Sequence, residues 1–444
     1  MSQYIGQLFR RAAMWLPIWM IVIVTVIASV NRQLIGLIAQ SVKVEFGLSD
    51  TQLGGVASII GIVVALIVPL LAQISDKFDR HKFMLVSVLI WSFATATYGM
   101  AAGYVILCIS LSVIVLAETS VVPLFGSIIA DKYKGDDRIQ ANLIYFAAGG
   151  LTTGVGSFLG GLLLHWSAQN LGSVTPFWHG ASEWRVAMVV TGLIGIPLAC
   201  MTLILGRDRR QSNHELISKI SYFTEYWKKY GKSVINFNIS NAGFFICASA
   251  TMSWTSIYLL RQFGMTPAEL GMRIGLVIGI ADVIGVVFGF MAIKKLYRLL
   301  GPMAPRYIFQ FSLCGIALTY IPLMAAQTSW TFLIVLGIQN FLATFGTASF
   351  NNMAQDLSAP GVRAKIFGVG SLITSLSFIP GPLLVGLMSD HFGQNPRDLM
   401  WAIIIVSVPA LIMSFILYSL TNKSFLQTVQ TLKSLEHAEQ AKAG

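Results

Sequence analysis

The sequence predicts an all-α membrane protein, with about twelve transmembrane helices in two pseudo-symmetric halves of six. Three observations lead there. Mean hydropathy is +0.72 and only 11% of the residues are charged, too few to cover a water-exposed surface of this size. Apolar runs of roughly 20 residues, long enough to cross the hydrocarbon layer, recur along the whole chain. The second half also repeats spacings found in the first.

The runs lie near 14–41, 52–73, 83–102, 105–130, 140–166, 185–205, 233–262, 268–293, 304–324, 329–355, 364–388 and 398–420. They do not alternate as membrane-barrel strands do. Helices satisfy their own backbone within lipid. The first run is too long for a cleavable leader and lacks a small-residue cleavage site, so it is expected to be the first span. Of the 30 Lys and Arg, 24 fall on segments that share one side if the N-terminus is cytoplasmic. This bias predicts both termini inside. It also accounts for the net charge of +11 by topology and contact with anionic lipid, and no nucleic-acid partner is expected.

The polar stretch RDRRQSNHELISKISYFTEYWKKYGK divides the spans six and six. Its aromatics and lysines suggest an amphipathic helix on the inner leaflet. The expected organisation is an N-terminal six-helix half over 1–206, a cytoplasmic linker over 207–232, a C-terminal half over 233–422 and a short polar helical tail over 423–444, with a flexible end as the default for that tail. Asp131 and Arg138 are seven residues apart, as are Asp356 and Arg363, at an offset of 225. At the same offset Gly156 meets Gly381 and Gly161 meets Gly386. Two parallel halves with a site between them are the architecture of a carrier that rocks about a central cavity.

The stretch YVILCISLSVIVLAETSVVPLFGSIIA holds one charge, Glu118. An ionised side chain at mid-bilayer costs about 2.5–3.5 kcal/mol, so it should face a partner or a water-filled cavity. Glu118 reads either as a proton carrier, since burial and a nearby cation move a carboxylate in opposite directions, or as a brace locked to Arg32 in span 1. Arg32 is either that brace or a bidentate partner for a substrate anion, with Asn31 beside it. Asp282 in span 8 is a second protonatable site, or it stays protonated or bonded to helix backbone. In span 10, Asn340, Thr344, Thr347, Asn351 and Gln355 fall on one helical face, a cavity wall or a set of interhelical bonds. Asn238, Asn241, Trp254 and Tyr258 of span 7 join the candidate substrate-binding residues. Glycines of span 5 and the Pro380–Gly386 region of span 11 permit close packing and kinks.

In AQISDKFDRHK, Asp76, Lys77 and Arg80 match the loop motif G-x-x-x-D-[RK]-x-G-R-[RK] that the major facilitator superfamily carries between spans 2 and 3. Ala72 and Asp79 stand where that motif has glycine, and His81 replaces a base. The chain resembles this superfamily, which implies the major facilitator fold. An acid at one helix end and bases on the next can latch the cytoplasmic side, which makes Asp76, Lys77, Arg80, Asp131, Arg138, Asp356 and Arg363 candidate gating residues. More narrowly, NRQLIGLIAQSVKVEFGLSDTQLG, AETSVVPLFGSIIADKYKGDDR, GGLTTGVGSFLGG and EWRVAMVVTGLIGIP resemble the Spinster-like branch. That branch has an acid where this chain has Asn31 and an arginine where it has Leu111, whereas Arg32 and Glu118 are kept. The resemblance implies alternating-access, proton-linked movement of a small amphiphile of the lysophospholipid or sphingoid type. Rival readings are a small organic anion as substrate, an uncoupled facilitator and a receptor that carries nothing.

No G-x-x-x-x-G-K-[ST] occurs, and the four cysteines show no metal spacing. No cofactor, metal or enzymatic activity is expected. The expected partners are the substrate, protons and membrane lipids. The expected setting is a monomer in a bacterial inner membrane.

Overall fold

The computed structural model describes residues 2–75, 78–174, 178, 180–205, 218–358, 362–393 and 395–443. Thirteen helices account for nearly all of them, and no strand occurs among the described residues. They are α1 (Ser2–Phe46), α2 (Asp50–Ser75), α3 (Arg80–Gly99), α4 (Tyr104–Lys132), α5 (Gly135–Val174), α6 (Glu183–Met201), α7 (Ser218–Phe263), α8 (Pro267–Leu300), α9 (Ala304–Ala325), α10 (Ser329–Asp356), α11 (Arg363–Phe378), α12 (Pro380–Phe392) and α13 (Pro396–Ala443). Among the described residues, eleven segments are long and apolar enough to span a membrane, and one of these, Pro267–Ala325, holds both α8 and α9. The predicted runs are therefore all helical, with span 11 split into α11 and α12 at Ile379–Pro380 because proline cannot continue the hydrogen-bond ladder.

Local chemistry sets the ends. Asp79 accepts from the amides of His81 and Lys82 at the start of α3, and Thr328 and Thr331 form a capping box on α10. Gly393 closes α12 at φ +117°, in the left-handed region that favours glycine.

The chain forms two compact units. Unit 1 comprises Met1–Leu48, Ile62–Arg210 and Gly264–Gly279; unit 2 comprises Ser49–Gly61, Gln211–Phe263 and Ile280–Gly444. In unit 1, α3 packs on α4 and α6, and α1 packs on α5. In unit 2, α7 packs on α13 and α11, and α9 packs on α10 and α13. The repeat seen in sequence carries equivalent neighbours. A Cβ on Gly156 would meet Ser29 of α1, and one on Gly381 would meet Ser249 of α7. A Cβ on Gly161 would lie 2.6 Å from Met272 N at the start of α8, and one on Gly386 would lie 2.5 Å from Asp50 O at the start of α2.

Two polar segments extend long helices. Residues 218–232 are the first turns of α7. Their Tyr226 and Tyr230 bury against Val362, Ile366 and Leu432, so these aromatics pack on protein and not on lipid head groups. The tail continues α13 as helix to Ala443. It buries Phe425, Val429 and Leu432, apolar positions spaced by four and three along one face.

Candidate functional site

In unit 1, α1 presents Asn31 and Arg32 on successive positions, and α4 brings Glu118 opposite them. Asn31 Nδ2 donates to Glu118 Oε1 at 3.1 Å. Arg32 Nη2 donates to Glu118 Oε2 at 3.3 Å. The pair is lopsided: the Glu118 side chain is 3% exposed and that of Arg32 is 54% exposed. A guanidinium has five N–H donors, so most of this one faces open space. That space is a cavity of about 120 Å³ lined by Glu118, Arg32, Thr25, Ser29, Trp91 and Tyr145, among others. Two buried polar atoms nearby have no hydrogen-bond partner among the described residues, Asn31 Oδ1 and Trp91 Nε1. The site can hold a negative charge, exchange a proton on a shielded carboxylate and offer donors to a ligand.

The other expected site residues divide. Asp282 is buried, and Asn340 Nδ2 donates to its Oδ1. The partner that the sequence did not reveal thus comes from span 10. Thr344 lies against Gly285 of α8 and bonds the carbonyl of Asn340, while Thr347 bonds the carbonyl of Thr344. Asn340 and Thr344 therefore contact α8 from α10. Asn238 lines a cavity of about 360 Å³ with Phe237, Phe350, Phe367 and Ser371. Asn241 Oδ1 accepts from Tyr418 at 2.6 Å. Trp254 Nε1 donates to the Pro382 carbonyl at 3.0 Å, and Tyr258 stacks on Phe332. These three are packing residues between helices of unit 2, because a polar tip on an apolar body bonds well inside a helix bundle. Arg80 is buried at the start of α3, Arg138 is exposed on α5, and Asp356 ends α10. Asp76 and Lys77 lie outside the described residues, as do the side chains of Asp131, Asn351 and Arg363.

Three arrangements escaped sequence reasoning. Arg261 clasps Asp50 through Nη1–Oδ2 at 2.8 Å and Nη2–Oδ1 at 2.6 Å, and Ser389 Oγ adds a bond at 2.6 Å. Arg185 Nε and Trp184 Nε1 both donate to Glu45 at 2.7 Å. Arg306, near the start of α9, is fully buried. It lies between the rings of Tyr418 and Phe425 and donates to Asn422 at 2.7 Å. Each base sits at a span end, where sequence spacing cannot separate a loop charge from one folded back onto the bundle.

A multi-pass helical membrane protein with a shielded carboxylate and an open arginine on a small cavity has the form of a carrier. The Major Facilitator Superfamily matches residues 21–323, and the chain belongs to that family. It is a transporter, not an enzyme. It is similar to an MFS-type efflux pump of Mycolicibacterium smegmatis, 22% identical over 396 residues that cover 87% of this chain and 86% of the relative. It is similar to Protein spinster of Drosophila melanogaster, 24% identical over 86% of this chain and 64% of the relative. A bacterial homologue of the human lysosomal transporter Spinster, solved in an inward-facing, unoccupied conformation, shares the fold with a TM-score of 0.77 at 18% identity, covering 95% of this chain and 98% of that one. The expected Spinster resemblance is thus met in both comparisons.

Proposed function

We propose that this transporter works by alternating access, couples to protons through Glu118 and moves a small amphiphile of the lysophospholipid or sphingoid type. The observation that carries the reading is the Glu118–Arg32 pair, a carboxylate sealed from solvent beside an arginine half open to a cavity. Arg32 receives a negatively charged head group by charge-assisted hydrogen bonds. The same cavity is lined by apolar side chains as well, Val24, Val88, Val121 and Phe125 among them, which suit the adjoining hydrocarbon. Asp282, held by Asn340, is the second protonatable group. In this reading the monomer sits in a bacterial inner membrane with both termini cytoplasmic, surrounded by lipid that its basic loops contact. Asp76, Lys77, Arg80, Asp131, Arg138, Asp356 and Arg363 act at the cytoplasmic gate. The similarity to Spinster proteins supports the substrate class.

A second reading, a small organic anion as substrate, is favoured by the size of the Arg32 cavity, about 120 Å³. A thermal-shift series with lysophospholipids, sphingoid bases and small organic acids separates the two, because a ligand of the native state raises its melting temperature. Stabilisation by single-chain amphiphiles alone supports the lipid reading, and stabilisation by small acids alone replaces it. With the stabilising compound as substrate in proteoliposomes, Glu118→Gln is expected to abolish pH-driven uptake while leaving exchange of substrate intact. Retention of the full pH dependence by Glu118→Gln sinks the coupling role.

A further inference from the structure

Asn31 is fully buried and its amide is half used. Nδ2 donates to Glu118, whereas Oδ1 has no partner among the described residues. A buried acceptor without a partner costs about 1–3 kcal/mol, so its retention beside the one carboxylate of α4's apolar stretch calls for a reason. The bonds around Glu118 supply it. Both carboxylate oxygens accept, one from Asn31 and one from Arg32, which is the pattern of the ionised form. Protonated, Glu118 becomes an O–H donor and needs an acceptor. Arg32 has none to offer. Asn31 does, because half a turn of its amide exchanges Nδ2 for Oδ1.

We propose that Asn31 reads the protonation state of Glu118 and thereby sets when Arg32 is open to an anionic head group. With Glu118 ionised, Asn31 donates and Arg32 is held. With Glu118 protonated, the Asn31 amide turns and accepts the carboxyl O–H. The charge that held Arg32 is gone, and its guanidinium turns fully to the cavity. One proton and one negative charge then enter together. The site goes from arginine with carboxylate to arginine with bound anion, neutral in both states. That balance matters because an unpaired charge in apolar surroundings is expensive. The other groups around the cavity do not change it: Thr25 and Ser29 on α1, Ser87 and Trp91 on α3, and Tyr145 and Thr152 on α5 are uncharged. Among the described residues lining it, Tyr145 is the other titratable side chain and Arg32 the other charge. The inference rests on Glu118 being the proton carrier and adds that protons and anions travel in the same direction. An aspartate at position 31 would place a second acid there, so asparagine keeps the count at one.

The test uses infrared difference spectra of the purified protein with pH, and thermal-shift affinities for lauroyl lysophosphatidate, succinate and sphingosine. The protonated-carboxyl band that disappears in Glu118→Gln belongs to Glu118. In the wild type its position is expected to be that of a hydrogen-bonded acid. In Asn31→Leu it is expected to move to that of a free acid. Affinity for whichever anion binds is expected to rise on acidification by about tenfold per pH unit in the wild type, the limit for one linked proton. In Asn31→Leu the pH at which that rise sets in is expected to shift, since Glu118 has lost the amide that bonds it in both protonation states. Melting of Asn31→Leu in the absence of ligand reports whether it folds, and the wild-type band position tests the proposal even if it does not. A free-acid band in the wild type overturns the inference. So does an anion affinity whose pH profile is the same in Asn31→Leu as in the wild type, or binding of sphingosine alone. A missing Glu118 band instead overturns the proton-carrier reading beneath it.

Discussion

Arg261→Gln is expected to destabilise the protein by about 3–5 kcal/mol, the cost of leaving one member of a buried ion pair without its partner. The Asp50 side chain is fully buried and that of Arg261 is 10% exposed. Two parallel N–H···O bonds join them, the bidentate geometry in which arginine binds carboxylate best. Lysine at 261 would supply charge without the fork and should recover only part of the loss. The next acid along α12 works on the same helix end. Asp390 accepts from the amides of Asp50 at 3.1 Å and Thr51 at 2.7 Å, groups left open at the start of any helix. Ser389, Asp390 and Arg261 thus fasten the first turn of α2 to α12 and α7. Unfolding of the purified protein in denaturant gives the check through a double-mutant cycle. Asp50→Asn and Arg261→Gln together should cost much less than the sum of the two, since the second change removes the charge the first had stranded. Additivity within about 0.5 kcal/mol, the behaviour of independent sites, would show that the clasp contributes no coupling.

The extent to which this architecture was legible follows from which forces act locally. Hydropathy reports the environment of each residue singly, and the twelve runs follow from it, whereas the split at Pro380 follows from the donor that proline lacks. Glu118 stood out for the same reason, as one charge in 27 residues. Its pairing with Arg32 was legible because Arg32 is itself rare, a permanent cation within a span. Asp282 kept its partner hidden because asparagine in span 10 carries no charge to mark it. The stripe from Asn340 to Gln355 reads as one face of a helix, yet periodicity fixes the face and not its neighbour. Here Asn340 and Thr344 meet α8. Trp254 and Tyr258 illustrate the same limit: an amphipathic side chain suits a cavity wall and a helix contact equally. Arg185, Arg261 and Arg306 were hidden in the charge count, where a base at a span end is taken as a topological signal. Their burial depends on Glu45, Asp50 and Asn422, residues 140, 211 and 116 positions away.

The repeat glycines give the last expectation, one with opposite signs at different positions. In an open helix position, Gly→Ala removes backbone freedom from the unfolded chain and should stabilise by roughly 0.5–1 kcal/mol. Gly126 of α4 is such a position, with nothing within 4 Å of where its Cβ would be. Gly161 and Gly386 are not. The added methyl on Gly161 would sit 2.6 Å from Met272 N and 2.7 Å from Ala268 O, and that on Gly386 would sit 2.5 Å from Asp50 O. Backbone cannot step aside as a side-chain end does, so the helices themselves must separate. Gly161→Ala and Gly386→Ala are each expected to cost about 1–3 kcal/mol, the usual penalty for overpacking, while Gly126→Ala raises the melting temperature. Equal losses at 161 and 386 follow from the internal repeat, since each glycine receives the first turn of its counterpart helix, α8 in one unit and α2 in the other. Denaturant unfolding of the three variants decides the matter. If all three behave alike, close backbone approach is not what keeps these positions small. If only Gly386→Ala is costly, the equivalence of the two contacts fails, and the strain must come from the neighbouring Asp50–Arg261 clasp.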